Sequence, residues 1–234
     1  MKVAVVVFPG TNCEHDVSHA LSLIGLAPQL VFHRETDLSG FDAAVLPGGF
    51  AHGDYLRTGA IARFSPVMGP VAAMAAGGAP VIGICNGFQV LCEAGLLPGA
   101  MVANRDLSFI CRPVHLRLES ARSALTAAAA PGDVLRIPLN SYEGNYVATP
   151  EMVRDLEAND QILLRYCDAT GNVSDGANPN GSVGNIAGVC NAAGNVAGLM
   201  PHPERAVETV LGSTDGIRLL ESLPTFAEVV TNRR

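Results

Sequence analysis

The chain has no run of lysine or arginine anywhere, and its formal net charge is −7. Broad nucleic-acid and anionic-membrane surfaces need concentrated positive charge, so neither kind of partner is expected. No apolar stretch is long enough to span a membrane. The opening segment, residues 1–8, is apolar but stops at Pro9-Gly10, and it has no signal-peptide layout. It reads as a buried first strand, and the expected location is the cytoplasm. The six cysteines, at 13, 85, 92, 111, 167 and 190, include no C-x-x-C pair. That spacing supports neither a disulfide framework nor a zinc site, and most of these thiols are expected to be reduced, buried and inert. The chain also has no P-loop, no H-E-x-x-H helix and no internal repeat.

Against those absences stand a 48% hydrophobic content, 25 glycines and 15 prolines. This combination can bury a sizeable core and still supply many tight turns, the profile of an α/β protein. No compositional break divides the chain, and residues 1–234 read as one domain. In the first half, short β-rich runs alternate with helical stretches, which predicts parallel strands joined by crossover helices. Strands are expected over residues 3–8, 29–33, 41–46 and 80–84. A helix is expected over 13–25, with Thr11 and Asn12 as N-cap candidates and Val17, Leu21 and Ile24 on one face. After residue 107 the alternation suits antiparallel strands, notably over 109–118, and Asn191-Ala192-Ala193-Gly194-Asn195 marks a hairpin. The fold class is therefore α/β: an open, mostly parallel central sheet with flanking helices and an additional antiparallel region in the second half. Residues 175–184, rich in Gly, Asn, Pro and Ser, read as a loop offering a surface to a partner or ligand.

The chemistry gathers at few places. Gly83-Ile84-Cys85-Asn86-Gly87 has the G-x-Nu-x-G form of a nucleophile elbow between a strand and a helix. Glycines two before and two after the nucleophile let the two backbones approach. A cysteine at a helix N-terminus meets unpaired N–H groups that favour its thiolate. Taken alone, the same segment is equally a buried cysteine before an ordinary helix. The thiolate needs a base that can return a proton, and histidine is suited to this. His15 and His19 lie at i, i+4 without further ligands and read as surface residues, whereas His33 and His115 have no partner motif. His52, in a glycine-rich loop, is the one serious rival to His202. In Pro201-His202-Pro203-Glu204 the second proline extends the chain at His202, placing His202 and Glu204 on one side so that the carboxylate can orient the ring. The oxyanion donors are expected from the backbone of Asn86 and from Gly48-Gly49 at the end of the neighbouring strand. No metal is expected.

Gly83-Ile84-Cys85-Asn86-Gly87-Phe88-Gln89 and Pro201-His202-Pro203-Glu204 together resemble the class I, triad-type glutamine amidotransferases. Within that class, residues 8–13, 47–57, 178–182 and 200–207 resemble the family of small glutaminase subunits of phosphoribosylformylglycinamidine synthase, and the likeness spans nearly the whole chain. The resemblance implies that Cys85 is the nucleophile, His202 the acid/base and Glu204 its orienter, with Gln89 and the Gly48-Gly49 loop holding L-glutamine. It further implies a large synthetase subunit that carries ATP and Mg and receives the ammonia, a small accessory subunit, and no cofactor on this chain. In one place the chain departs from the pattern: where the family shows His-Gly-Glu-Gly, it has Ser141-Tyr142-Glu143-Gly144. Three other readings stay open at this point: the glutaminase of a different ammonia-using synthase, a cysteine hydrolase acting on another amide or ester, and a non-catalytic subunit that has kept the fold.

Overall fold

A computed structural model describes residues 1–231, so residues 232–234 of the expected single domain lie outside the described residues. In chain order the elements are β1 (Lys2–Val7), α1 (Glu14–Leu23), β2 (Ala27–Phe32), β3 (Ala43–Leu46), α2 (Met68–Ala76), β4 (Val81–Ile84) and α3 (Asn86–Glu93). They continue with β5 (Ala100–Val102), β6 (Ile110–Leu118), β7 (Val134–Ser141), β8 (Asn145–Val147), α4 (Pro150–Ala158) and β9 (Ile162–Cys167). The chain closes on β10 (Ile186–Cys190), β11 (Val196–Leu199), α5 (Gly216–Leu220) and α6 (Ser222–Thr231).

Nine strands form one sheet in the order β2-β1-β3-β4-β11-β10-β9-β6-β7, and β5 pairs with β8 in a separate two-stranded sheet. The pairs β1·β2, β1·β3, β3·β4 and β4·β11 are parallel, while β11·β10, β10·β9, β9·β6 and β6·β7 are antiparallel. The antiparallel region therefore extends the same sheet and is not a second layer. The hairpin over residues 191–195 joins β10 to β11 as expected, with Gly188 opposite Leu199. Strand boundaries shift by a residue or two from the sequence reading, the usual scatter of element ends.

Burial on both faces explains the unbroken apolar runs. Val3, Ala4, Val5 and Val6 of β1 are fully buried, as are or nearly are all four residues of β3 and of β4. These strands sit between helices, where β-branched side chains fill both faces of the pleat. Phe88 of α3 fixes how the helix lies on the sheet. It is fully buried, it stacks on Tyr146 at 6.0 Å between ring centroids, and a Cβ placed on Gly198 of β11 would come within 2.3 Å of its ring. Gly198 is thus the gap in the sheet that admits the ring.

Two local expectations are corrected. Neither Thr11 nor Asn12 caps α1: Cys13 occupies the N-cap without a side-chain bond, and the Thr11 hydroxyl accepts from the Phe8 N–H at 3.0 Å, closing the preceding turn. Glu14 and Asp16 in the first turn supply the favourable charge at that helix end instead. The segment 175–184 is not a free surface throughout. Asn178, Asn180 and Ser182 are buried, and the Asn180 amide donates to the Gly144 carbonyl at 2.7 Å and to the Tyr166 hydroxyl at 3.2 Å. Its polar composition serves an internal hydrogen-bond network, which composition alone does not distinguish from a solvated loop.

Truncating Phe88 to Ala removes the side chain that keys α3 onto the sheet. The expected loss is about 3–5 kcal/mol of unfolding free energy, read from the urea midpoint.

Candidate active site

Because β1, β3, β4, β7 and β11 all run in one direction, the segments that follow them emerge at a single edge of the sheet. This is the edge at which open α/β sheets bind ligands. The chain leaves β1 and β3 on adjacent sides of the switch in strand order, and a cavity of about 400 Å³ opens there. Cys85, Gln89, Gly49 and His202 line it together with Cys13, Asp54, Asn140, Tyr142, Glu143 and Arg205.

Cys85 sits between β4 and α3 with φ 50° and ψ −108°. A non-glycine residue with such a backbone costs on the order of 1–3 kcal/mol and persists only where its surroundings enforce it. Here the enforcement is close packing: a Cβ on Gly83 would lie 2.7 Å from the Gly87 backbone, and one on Gly87 would lie 1.9 Å from the Leu46 carbonyl oxygen of β3. The elbow glycines thus perform the steric task read from the sequence. The Cys85 thiol is 3.5 Å from the Asn140 carbonyl, and the sulfur borders the cavity at the N-terminus of α3.

His202 follows β11 after two residues, and its backbone N–H donates to the Pro138 carbonyl of β7 at 2.8 Å. The ring Nδ1 and the Glu204 Oε1 are 2.6 Å apart, and both side chains are buried. Because a carboxylate can only accept, Nδ1 carries the proton, and Nε2 is left facing the cavity with no partner of its own. Burial disfavours the charged ring, but the Glu204 carboxylate and the Cys85 sulfur outweigh it and hold His202 well above its ordinary 6.5, with the Cys13 thiol adding to the effect. The site therefore favours imidazolium beside sulfur. Gly48 packs against this arrangement, since a Cβ there would meet the ring Cε1 at 2.7 Å and the Cys13 sulfur at 3.1 Å. Its carbonyl accepts from the N–H groups of Asn12 and Cys13, and Gly49 faces the cavity.

Asn86 and Gln89 form one network across the floor. The Asn86 amide accepts from the Ala51 N–H at 3.0 Å and donates to Gln89 Oε1 at 2.9 Å and to Asp54 at 3.3 Å. Gln89 in turn donates to the Glu143 carbonyl at 2.6 Å. The loops after β3 and β7 are in this way pinned to the helix that carries Cys85. His52, the rival base, lies outside the cavity lining. Its Nε2 is 3.4 Å from the Ser65 hydroxyl, and its ring packs edge-on against His33.

The sequence reading missed Cys13, Asp54, Glu143 and Arg205. Cys13 is not one of the inert thiols: its sulfur accepts from the Arg205 guanidinium at 3.3 Å, and donor atoms of Cys13, His202 and Glu204 all lie within 4.8 Å of one another. Those three residues have the composition of a metal site. Two ligands of one tetrahedral ion with bonds of about 2 Å stand about 3.3 Å apart, however, so the 2.6 Å contact between ring and carboxylate is that of a hydrogen-bonded pair. Only the blocks around residues 8–13 and 47–57, quoted for their resemblance, pointed towards Cys13 and Asp54.

A cysteine at a strand-to-helix elbow, facing a buried His–Glu pair across the carboxyl edge of such a sheet, defines the glutamine amidotransferase class. In agreement, residues 1–217 match the family described as CobB/CobQ-like glutamine amidotransferase domain. The chain is 55% identical to the phosphoribosylformylglycinamidine synthase subunit PurQ of Chlorobium luteolum, over 94% of this chain and 96% of that protein. It is 52% identical to the subunit of the same name from Rubrobacter xylanophilus, over 98% of this chain and 100% of that protein. Among solved structures, a chain of PurLQS from Thermotoga maritima superposes with a TM-score of 0.85 at 41% identity, covering 96% of this chain and 98% of that one. The protein belongs to the PurQ family of phosphoribosylformylglycinamidine synthase subunits.

Replacing Glu204 with Gln removes the charge that holds His202 protonated. The His202 pKa, followed by NMR titration of the ring, is expected to fall, and glutamine turnover to drop by about 10²-fold.

Proposed function

We propose that this chain is the glutamine-hydrolysing subunit of phosphoribosylformylglycinamidine synthase, with Cys85, His202 and Glu204 as its catalytic set. The observation that carries the reading is the unpartnered, buried Nε2 of His202 in the same cavity as the strained Cys85, with Glu204 bonded to the far side of the ring. The Cys85 thiolate attacks the side-chain amide carbon of L-glutamine. Negative charge then develops on the amide oxygen, and the N–H groups of Asn86 at the helix start and of Gly49 at the end of β3 are assigned to receive it. His202, already charged, delivers its Nε2 proton to the amide nitrogen, and ammonia leaves from a glutamyl thioester. The ring is now neutral and can take a proton from water, which attacks the thioester and releases glutamate. Glu204 stays ionised throughout and steadies the imidazolium.

The ammonia is passed to a synthetase subunit that converts formylglycinamide ribonucleotide to the amidine in a step of purine biosynthesis. ATP and Mg belong to that subunit, and a small accessory subunit completes the assembly. Membership of a family named as synthase subunits and the likeness to a chain of PurLQS support this partnership. No helix among the described residues is long and apolar enough to cross a membrane. The assigned location is the cytoplasm, in keeping with relatives named as subunits of a biosynthetic synthase. Relatives of the same subunit name over nearly the full chain favour this reading over a synthase with a different acceptor.

Purified chain and candidate synthetase, mixed with L-glutamine, are expected to release glutamate, and Cys85→Ala is expected to lower that rate by about 10³-fold or more. Glutamate release that survives the substitution removes Cys85 from its role.

A further inference from the structure

Two carboxylates in the cavity have no task in the reaction described above. Asp54 belongs to the loop after β3 and Glu143 to the loop after β7, and both line the cavity with Gln89 between the loops. The Asp54 carboxylate receives one hydrogen bond, from the Asn86 amide at 3.3 Å. Among the described residues no arginine, lysine or histidine forms an ion pair with either group; Arg205, the guanidinium in the lining, is committed to Asp16 at 3.0 Å and to the Cys13 sulfur. Asp54 is half-buried, and its burial, with Glu143 adding repulsion, pushes its carboxyl up to about 6. Its backbone has φ 54°, in a short segment where His52 and Leu56 are also left-handed. The chain is thus held in a costly conformation that presents this carboxylate to the cavity. The same cavity is lined by His202, whose buried Nε2 has no hydrogen-bond partner.

A ligand that quenches both ends has an amide at the nucleophile and a cation some distance from it. We propose that Asp54 and Glu143 form the subsite for the α-ammonium group of the glutamine substrate, so that the pocket selects an amino acid and not simply a side-chain amide. The proposal rests on the glutaminase reading and adds to it the means of recognising the far end of the substrate. An ammonium carries three donors and one charge, and two acceptor-only carboxylates complement it in both respects. The spacing is set by two residues of the helix that begins at the nucleophile: the Asn86 amide touches Asp54 on one side and Gln89 on the other, and Gln89 holds the Glu143 backbone. Both loops of the subsite are thereby tied to the helix that carries the sulfur.

The test compares L-glutamine with glutaramate, the same γ-amide without the amino group, using the full-length chain with its synthetase. Asp54→Asn and Glu143→Gln are each expected to raise KM for L-glutamine by about tenfold or more while kcat changes by less than about threefold, because the lost interaction is made equally in ground and transition states. Turnover of glutaramate, which has no ammonium to lose, should stay at its wild-type kcat/KM. Alkylation of Cys85 by iodoacetamide at the wild-type rate shows that the elbow is intact in the variants. An unchanged KM for L-glutamine, or an equal loss on both amides, overturns the subsite. If wild-type protein turns over glutaramate too slowly to measure, the demand for an ammonium is itself supported, and the KM for L-glutamine decides, with alkylation as the control. Inactivity of the unaltered complex on both amides overturns the glutaminase reading and the subsite with it. An active complex whose variants keep their KM overturns the subsite alone.

Discussion

The close contact of β4, α3 and β3 at two glycines is the constraint on which the site depends. With Gly83 against Gly87 and Gly87 against the Leu46 carbonyl, the strand cannot pass into the helix by any gentler path, and Cys85 is forced into its left-handed turn. The strain is sustained by core packing, chiefly the buried Phe88 that seats α3 over Gly198. Stability and reactivity are linked here in a definite direction. Apolar packing holds a backbone that the isolated residue would avoid, and a buried sulfur bordering the cavity at a helix N-terminus is the result.

The rest of the constellation converges because five strands deliver their following loops to one edge. That arrangement needs β10 to run antiparallel, so that β11 returns in the direction of β4 and brings His202 alongside Cys85. The hairpin at residues 191–195 is remote from the chemistry yet sets the register of β11 on β4, where Gly198 lies opposite Gly83. The electrostatics follow from this placement. A charged imidazolium would be costly in so dry a position, and the paired carboxylate and neighbouring sulfurs make it the favoured form.

Much of this was legible before any coordinates. The elbow motif has a steric logic that operates within five residues, and the His-Pro-Glu segment has a conformational logic that operates within three, so both could be read locally. The resemblance of several blocks to one family joined them across more than a hundred positions. Other features were beyond local reading. Asn178, Asn180 and Ser182 carry a loop-like composition that is equally the composition of a buried amide network, and only tertiary placement separates the two. Cys13 offered no chemical signal, because its closeness to Arg205 and His202 is made by the packing of α1 against the segment after β11. The mistaken cap of α1 has a similar cause: Thr11 is a good cap by type, but its hydroxyl closes the turn that leads out of β1.

The segment Ser141-Tyr142-Glu143-Gly144 is hung in a simple way. Asn104 accepts from the Gly144 N–H, donates its amide to the Ser141 carbonyl and gives its backbone N–H to the Tyr142 carbonyl, while Asn180 grips the Gly144 carbonyl from the other side. Every one of these attachments is made to main chain. The wall of the cavity is therefore a suspended ribbon whose course is set by two distant asparagines and not by the exposed side chain of Tyr142. Tyr142, which is exposed, can therefore vary and recolour the entrance without bending the ribbon, whereas Ser141, buried against Gly144, cannot change as freely.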